Sequence, residues 1–111
     1  MSKYKNRKTT VEGITFDSKK EAARFQELRL LERAGEIQDL HCQVSIELVP
    51  AQRDAKGKLV ERPVKYIADF VYQIYATGER VVEDVKGYRT DVYKIKRRLM
   101  KHLYGIDIKE T

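Results

Sequence analysis

The chain has 111 residues, enough for one compact domain that removes about two thirds of its unfolded surface from water, and too few for two. Charged residues make up 36% and hydrophobic residues 41%, a polar balance that excludes a disordered chain because it still supplies a core. The formal net charge of +6 and a pI near 9.4 favour a polyanionic partner, because a basic surface attracts phosphates before any specific contact forms.

Residues 1 to 12, "MSKYKNRKTTVE", are polar and basic without apolar periodicity, and read as a flexible arm preceding a single domain over 13 to 111. Residues 18 to 34, "SKKEAARFQELRLLERA", are rich in helix formers, with Ser18 as N-cap and Gly35 at the stop. In "EIQDLHCQVSIELVPAQ" the alternation of Val44, Ile46 and Leu48 with polar residues predicts a strand that Pro50 ends. "RDAKGKLVER" is a polar turn or long hairpin loop around Gly57.

From Val64, "VKYIADFVYQIY" carries aromatic and β-branched residues on both faces, as a central strand does. "ATGE" supplies a turn and "RVVEDVK" a further strand. A second helix is predicted over 91 to 104, capped by Thr90 or Asp91 and stopped at Gly105, and "IDIKE" closes as a short strand. The order, helix, three strands, helix, strand, defines an α/β fold with its sheet covered by helices.

Cys42 is the only cysteine, so no intrachain disulfide is possible, and His41 and His102 are too few for a zinc set. A reducing cytoplasm is the expected location. With no apolar run of seven residues after the basic start and no 18-residue apolar span, neither secretion nor membrane insertion is expected.

The acids of "RVVEDVKGYR" need a reason to lie in a strand. Side chains alternate, so Asp84 and Lys86 share one face while Glu83 joins Val81 and Val85 on the other. A turn centred on Ala76 and Thr77 matches Asp69 with Asp84; one centred on Thr77 and Gly78 matches Asp69 with Lys86. Opposed carboxylates, with Cβ atoms roughly 5 Å apart, repel unless a proton or cation lies between them. Mg2+ or Mn2+ suits such hard oxygen ligands, and Lys86 beside it would orient an attacking water or offset phosphate charge. The competing reading is a surface ion pair contributing about 0 to 1 kcal/mol.

Glu21 falls between Phe25 and Leu28 on the apolar stripe of the first helix, where acids are unusual. It serves either the site or a capping box with Ser18. On the second helix Val92, Ile95, Leu99 and Leu103 read as a core stripe with Lys96 at its edge. Lys94, Lys96, Arg97, Arg98 and Lys101, with Arg89 in the preceding loop, are candidate phosphate contacts, or else a solvated helix face. Tyr88 and Tyr93 are interleaved with them, as packing or stacking residues.

The order αβββαβ, with Asp69 in the second strand and Asp84-x-Lys86 in the third, resembles the restriction-endonuclease-like PD-(D/E)xK nuclease superfamily, which includes Holliday junction resolvases. More narrowly, "ITFDSKKEAARFQELRLLERAGEIQDL", "YIADFVY" and "VVEDVKG" resemble a phage-encoded family of small proteins long of unknown function, and the N-terminal nuclease domain of the Tn7-type transposition endonuclease. Ala68 stands where the superfamily name has proline.

The resemblance implies a mixed central sheet flanked by helices, and Mg2+ or Mn2+ held by Asp69, Asp84, the Val85 backbone carbonyl and Glu21, with Lys86 assisting water. It further implies an endonuclease cutting DNA, on branched or recombination intermediates, in phage recombination, replication or packaging within a bacterial host cytoplasm. Two alternatives stand beside it: a nucleic-acid-binding or assembly module that kept the fold without cutting, and an RNA-directed enzyme. A homodimer is expected, since small nucleases pair to cut two strands.

Overall fold

A computed structural model describes residues 7–111. The elements in chain order are β1 (Thr9–Val11), β2 (Ile14–Phe16), α1 (Lys19–Arg33), β3 (Ile37–Val49), β4 (Gln52–Arg53), β5 (Leu59–Glu61), β6 (Val64–Ile74), β7 (Arg80–Asp84), α2 (Asp91–Tyr104) and β8 (Lys109–Glu110). The main sheet runs β3-β6-β7-β8, antiparallel except for the last pair, so the protein is a mixed α/β fold with two helices.

The helices form where their capping chemistry allows. Ser18 Oγ accepts the Glu21 N–H at 3.1 Å and starts α1. Thr90 Oγ1 accepts the Tyr93 N–H at 3.0 Å and starts α2. At the other end of α2, Gly105 takes φ +68, where a side chain would be strained, and the Gly105 and Ile106 N–H groups bond back to the carbonyls of Lys101 and Met100.

Two expectations need correction. The loose arm over 1 to 12 does not extend to Thr9–Val11, which pairs with Ile14–Phe16 as a hairpin. Its turn residues Glu12 and Gly13 both take positive φ, the mark of a type I′ turn, and alternating β-branched residues supply the strands. Residues 1–6 of that arm lie outside the described residues. The expected long hairpin loop around Gly57 is present, with β4 and β5 as its short antiparallel ladder.

The second correction concerns α2. Val92, Ile95 and Leu103 are exposed, and only Leu99 of the expected stripe packs against the core. Tyr93 and Met100 are the buried residues of this helix. Tyr93, with a hydroxyl that found an acceptor in half-buried Glu110, took the place that aliphatic periodicity assigned elsewhere.

Two apolar clusters hold the sheet to its helices. Phe16, Ala22, Phe25, Leu28, Ile37, Phe70 and Tyr72 form one around α1, with the Phe16 and Phe25 ring centroids 5.0 Å apart. Leu48, Tyr66, Ala68, Val71, Val82, Tyr93 and Met100 form the other around α2. Along β6 the even-numbered residues change cluster: Tyr66 and Ala68 meet α2, whereas Phe70 and Tyr72 meet α1. Asp69 lies at that change, and Gln43 on the neighbouring strand takes φ +53 there.

A buried ion pair fixes α1 on β7. Glu83 is fully buried; the Arg24 guanidinium reaches it with Nε at 2.6 Å and Nη2 at 3.0 Å, and the Tyr72 and Thr111 hydroxyls donate at 2.7 and 3.1 Å. Burial opposes its ionisation, yet these donors outweigh burial and hold the carboxyl below its ordinary range. Removing one partner strands a charge in a dry place, so Arg24→Met is expected to cost about 3 to 5 kcal/mol in urea denaturation. A loss below about 1 kcal/mol, as at a surface pair, would contradict this role for Glu83.

Candidate functional site

Of the two hairpin registers that the turn allows, the structure adopts the one centred on Ala76 and Thr77. Phe70 pairs with Glu83, Val71 with Val82 and Tyr72 with Val81, and the Ile74 N–H bonds to the Glu79 carbonyl. One step further along that register puts Asp69 level with Asp84. The Val85 N–H donates to Asp69 Oδ2 at 2.7 Å, which ties the two strands together at this point.

Asp69, Asp84 and Glu21 line one cleft of about 520 Å³, together with Asp17, Lys20, Val85, Lys86 and Tyr88. Ser18 and Thr90, the caps of α1 and α2, stand at its walls. The site therefore draws on both helix starts and on the ends of two strands.

Lys86 Nζ lies 3.0 Å from Asp84 Oδ1, and the Tyr66 hydroxyl donates to Asp84 Oδ2 at 2.7 Å. On its other side the Lys86 ammonium sits 3.5 Å from the centre of the Tyr93 ring. The Tyr93 hydroxyl donates to Glu110 Oε2 at 2.7 Å, and Arg89 donates twice to Glu110 Oε1, at 3.1 and 2.9 Å. Those hydrogen bonds, Arg89 first and Tyr93 next, hold the Glu110 carboxyl down at about 2.

The acids influence one another. Burial, then a hydrogen bond and charge from Asp84, push Asp69 up to about 8, against the opposing pull of the Val85 N–H. Burial also raises Glu21, with Asp17 and Asp84 adding to it and a hydrogen bond with Asp69 working the other way. Burial, followed by the bond to Asp84, raises the Tyr66 hydroxyl, which keeps it a donor. At neutral pH this cluster holds a proton where a cation would otherwise compensate the charge.

Asp69 and Asp84 offer the hard oxygen donors that Mg2+ takes from one or two carboxylates, with Val85 adjoining them in the cleft. Among the described residues, no group of three or more His, Cys, Asp or Glu is spaced to hold a metal ion. The donor set thus fits a two-carboxylate site completed by water and phosphate oxygens. Glu21, expected both as a ligand and in a capping box, directs its carboxyl to Asp69 while its N–H serves the cap.

The basic residues separate. Arg97 Nη1 reaches Glu110 at 3.4 Å and Lys101 reaches Asp107 at 2.9 Å, so these two, like Arg89, are ion-paired within the chain. Lys94 and Arg98 are exposed, and Lys96 is half-buried. Lys20, which periodicity did not single out, lines the cleft and donates to the Lys86 carbonyl at 2.6 Å. Tyr66 and Tyr93 were also missed as partners of the acid and the lysine, because an aromatic in a core pattern gives no sign of where its hydroxyl or ring face points.

The fold and cleft define a mixed α/β protein with a carboxylate-lined site at the end of a β-hairpin. A family model described as "Protein of unknown function (DUF1064)" matches residues 1–111, and the chain belongs to that family. No curated protein and no solved structure matches it. Among the described residues no helix is long and apolar enough to cross a membrane.

The raised Asp69 has a stability consequence with a definite sign. Between its ordinary value of 3.8 and about 8 the folded chain binds a proton that the unfolded chain has released. The contribution is full below that window and is lost as pH rises through it. Metal-free protein should therefore melt at progressively lower temperature as pH is raised from about 5 to about 8, whereas Asp69→Asn should be more stable at the upper end with a flatter profile. Glu83, with its lowered value, contributes no slope in this range. A wild-type melting temperature that rises across the window would refute the assignment.

Proposed function

We propose that the protein is a divalent-metal-dependent nuclease that hydrolyses DNA phosphodiesters, on the αβββαβ core of the PD-(D/E)xK superfamily. The observation that carries this reading is the convergence of Asp69, Asp84 and Lys86 on one cleft, where burial and the neighbouring Asp84 raise the Asp69 carboxyl to about 8. Asp69 and Asp84 would hold Mg2+ or Mn2+ beside the Val85 carbonyl. When bound, such an ion supplies an activated water and neutralises phosphate charge.

The chain's own groups supply the rest. Lys86, anchored on Asp84, presents a cation to charge that develops on the phosphate. Glu21 accompanies Asp69 on the helix side, hydrogen-bonded to it. The cap residues Ser18 and Thr90 bring the N-terminal ends of α1 and α2, the ends that favour anions, beside the cleft, and exposed Lys94 and Arg98 extend the positive surface along α2. Cutting both strands of a duplex needs two such centres, which a two-fold pair of chains supplies.

A second reading, a nucleic-acid-binding module that does not cut, is favoured by the lack of a three-acid metal group among the described residues. Purified protein incubated with duplex, single-stranded, flap and four-way-junction DNA in Mn2+ tests the two. Cleavage of at least one substrate, abolished by Asp84→Ala, is the expected outcome. Mn2+ at about 100 times its Kd should also stabilise the wild type by about 2.7 kcal/mol and leave Asp84→Ala unaffected. DNA binding without cleavage or cation-dependent stabilisation would support the module; cleavage preserved in Asp84→Ala would place the chemistry elsewhere.

A further inference from the structure

The Lys86 side chain is only 15% exposed, and it is held between two groups of different kinds. Asp84 Oδ1 lies 3.0 Å from its ammonium, and the Tyr93 ring centre lies 3.5 Å away. A flexible four-carbon stem with a strongly hydrated head does not keep one position by a single ion pair, since Asp84 would equally accept it in several rotamers. The ring face adds a directional restraint. Its quadrupole attracts a cation along the ring normal, most effectively where water is excluded.

The ring itself is held by packing and by a hydrogen bond. Tyr93 is buried on the first turn of α2, its centroid 6.4 Å from that of Tyr66. Its hydroxyl donates to Glu110 on β8. A phenol hydrogen-bonded to a carboxylate carries more electron density in its ring, so Glu110 both fixes the ring and strengthens its attraction for the ammonium. Arg89 and Arg97 hold Glu110 in turn. Beside it, the Thr111 carbonyl accepts the Lys86 N–H at 2.8 Å and the Thr111 N–H donates to the Asp84 carbonyl at 3.0 Å, so β8 also holds the backbone of the Asp84-Val85-Lys86 segment.

We propose that Tyr93, oriented by Glu110, is the positioning residue for Lys86: the ring presses the ammonium onto Asp84 and keeps it in the cleft. This inference rests on the nuclease reading for its catalytic consequence, but not for its geometry. Its signature is a ring-current shift of the Lys86 ε-methylene protons, which lie near the ring face. In metal-free protein, 13C-resolved NMR, with Lys86→Arg used to assign the signal, should place those protons upfield of the other lysines. Tyr93→Leu should return them to the common position.

Tyr93→Phe keeps the ring and should keep most of the shift. Glu110→Gln leaves the ring in place, as Tyr93→Phe does, and should likewise reduce the shift only in part. In the cleavage assay Tyr93→Leu should lower kcat about tenfold with little change in KM, and Tyr93→Phe should recover most of that loss. A Lys86 signal unmoved by Tyr93→Leu overturns the contact. A shift lost without change in kcat, in a wild type that cleaves, overturns the positioning role. A wild type that cleaves nothing refutes the nuclease reading, and the Lys86 signal still decides whether Tyr93 holds the ammonium.

Discussion

The arrangement depends on one register. Because the β6–β7 hairpin turns about Ala76 and Thr77, Asp69 comes level with Asp84 at the end of the ladder. The other register would have set Asp69 against Lys86 and made an ordinary cross-strand ion pair. With two carboxyls brought together in a partly dry cleft, mutual repulsion has to be relieved, and burial with the proximity of Asp84 raises Asp69 to about 8. Glu21 from α1 and Lys86 from the end of β7 border the same pair of acids in the cleft.

Alternation along β7 divides the acids by role. Glu83 points toward α1, where Arg24, Tyr72 and Thr111 satisfy it fully and it joins helix to sheet. Asp84 points the other way, into the cleft, where Tyr66 and Lys86 leave it beside Asp69. Adjacent acids of similar chemistry thus differ because one has a complete set of donors in the core and the other borders an open cleft. The same strand is held from its outer edge by β8 and by Thr111 just beyond it, through backbone bonds at Asp84 and Lys86, while Glu110 of β8 bonds to Tyr93 on α2.

Much of the fold was legible locally. Ser18, Thr90 and Gly105 act at helix ends by short-range hydrogen bonds and backbone sterics, which is why both helices lie where capping and propensity put them. The aromatic and β-branched character of β6 announced a central strand, which it is. The β1–β2 hairpin was hidden because it is only three residues a side, with a turn carrying Glu12 in place of the commoner Asn or Asp. The apolar spacing of Val92, Ile95 and Leu103 misdirected, since periodicity measures a face and not which way that face is turned.

The site was legible to the same depth. Alternation and helical angle, both local, set Asp84 and Lys86 on one face and Glu21 on an apolar stripe. They left two registers for Asp69, because turn chemistry at Ala76, Thr77 and Gly78 permits either. Only the tertiary structure chose between them, setting Phe70 opposite Glu83 and so Asp69 level with Asp84. It alone supplied Lys20, Tyr66, Tyr93 and Glu110 as neighbours of the acids, because contacts between residues far apart in the chain depend on how helices and strands are laid against one another, and that is a property of the whole core.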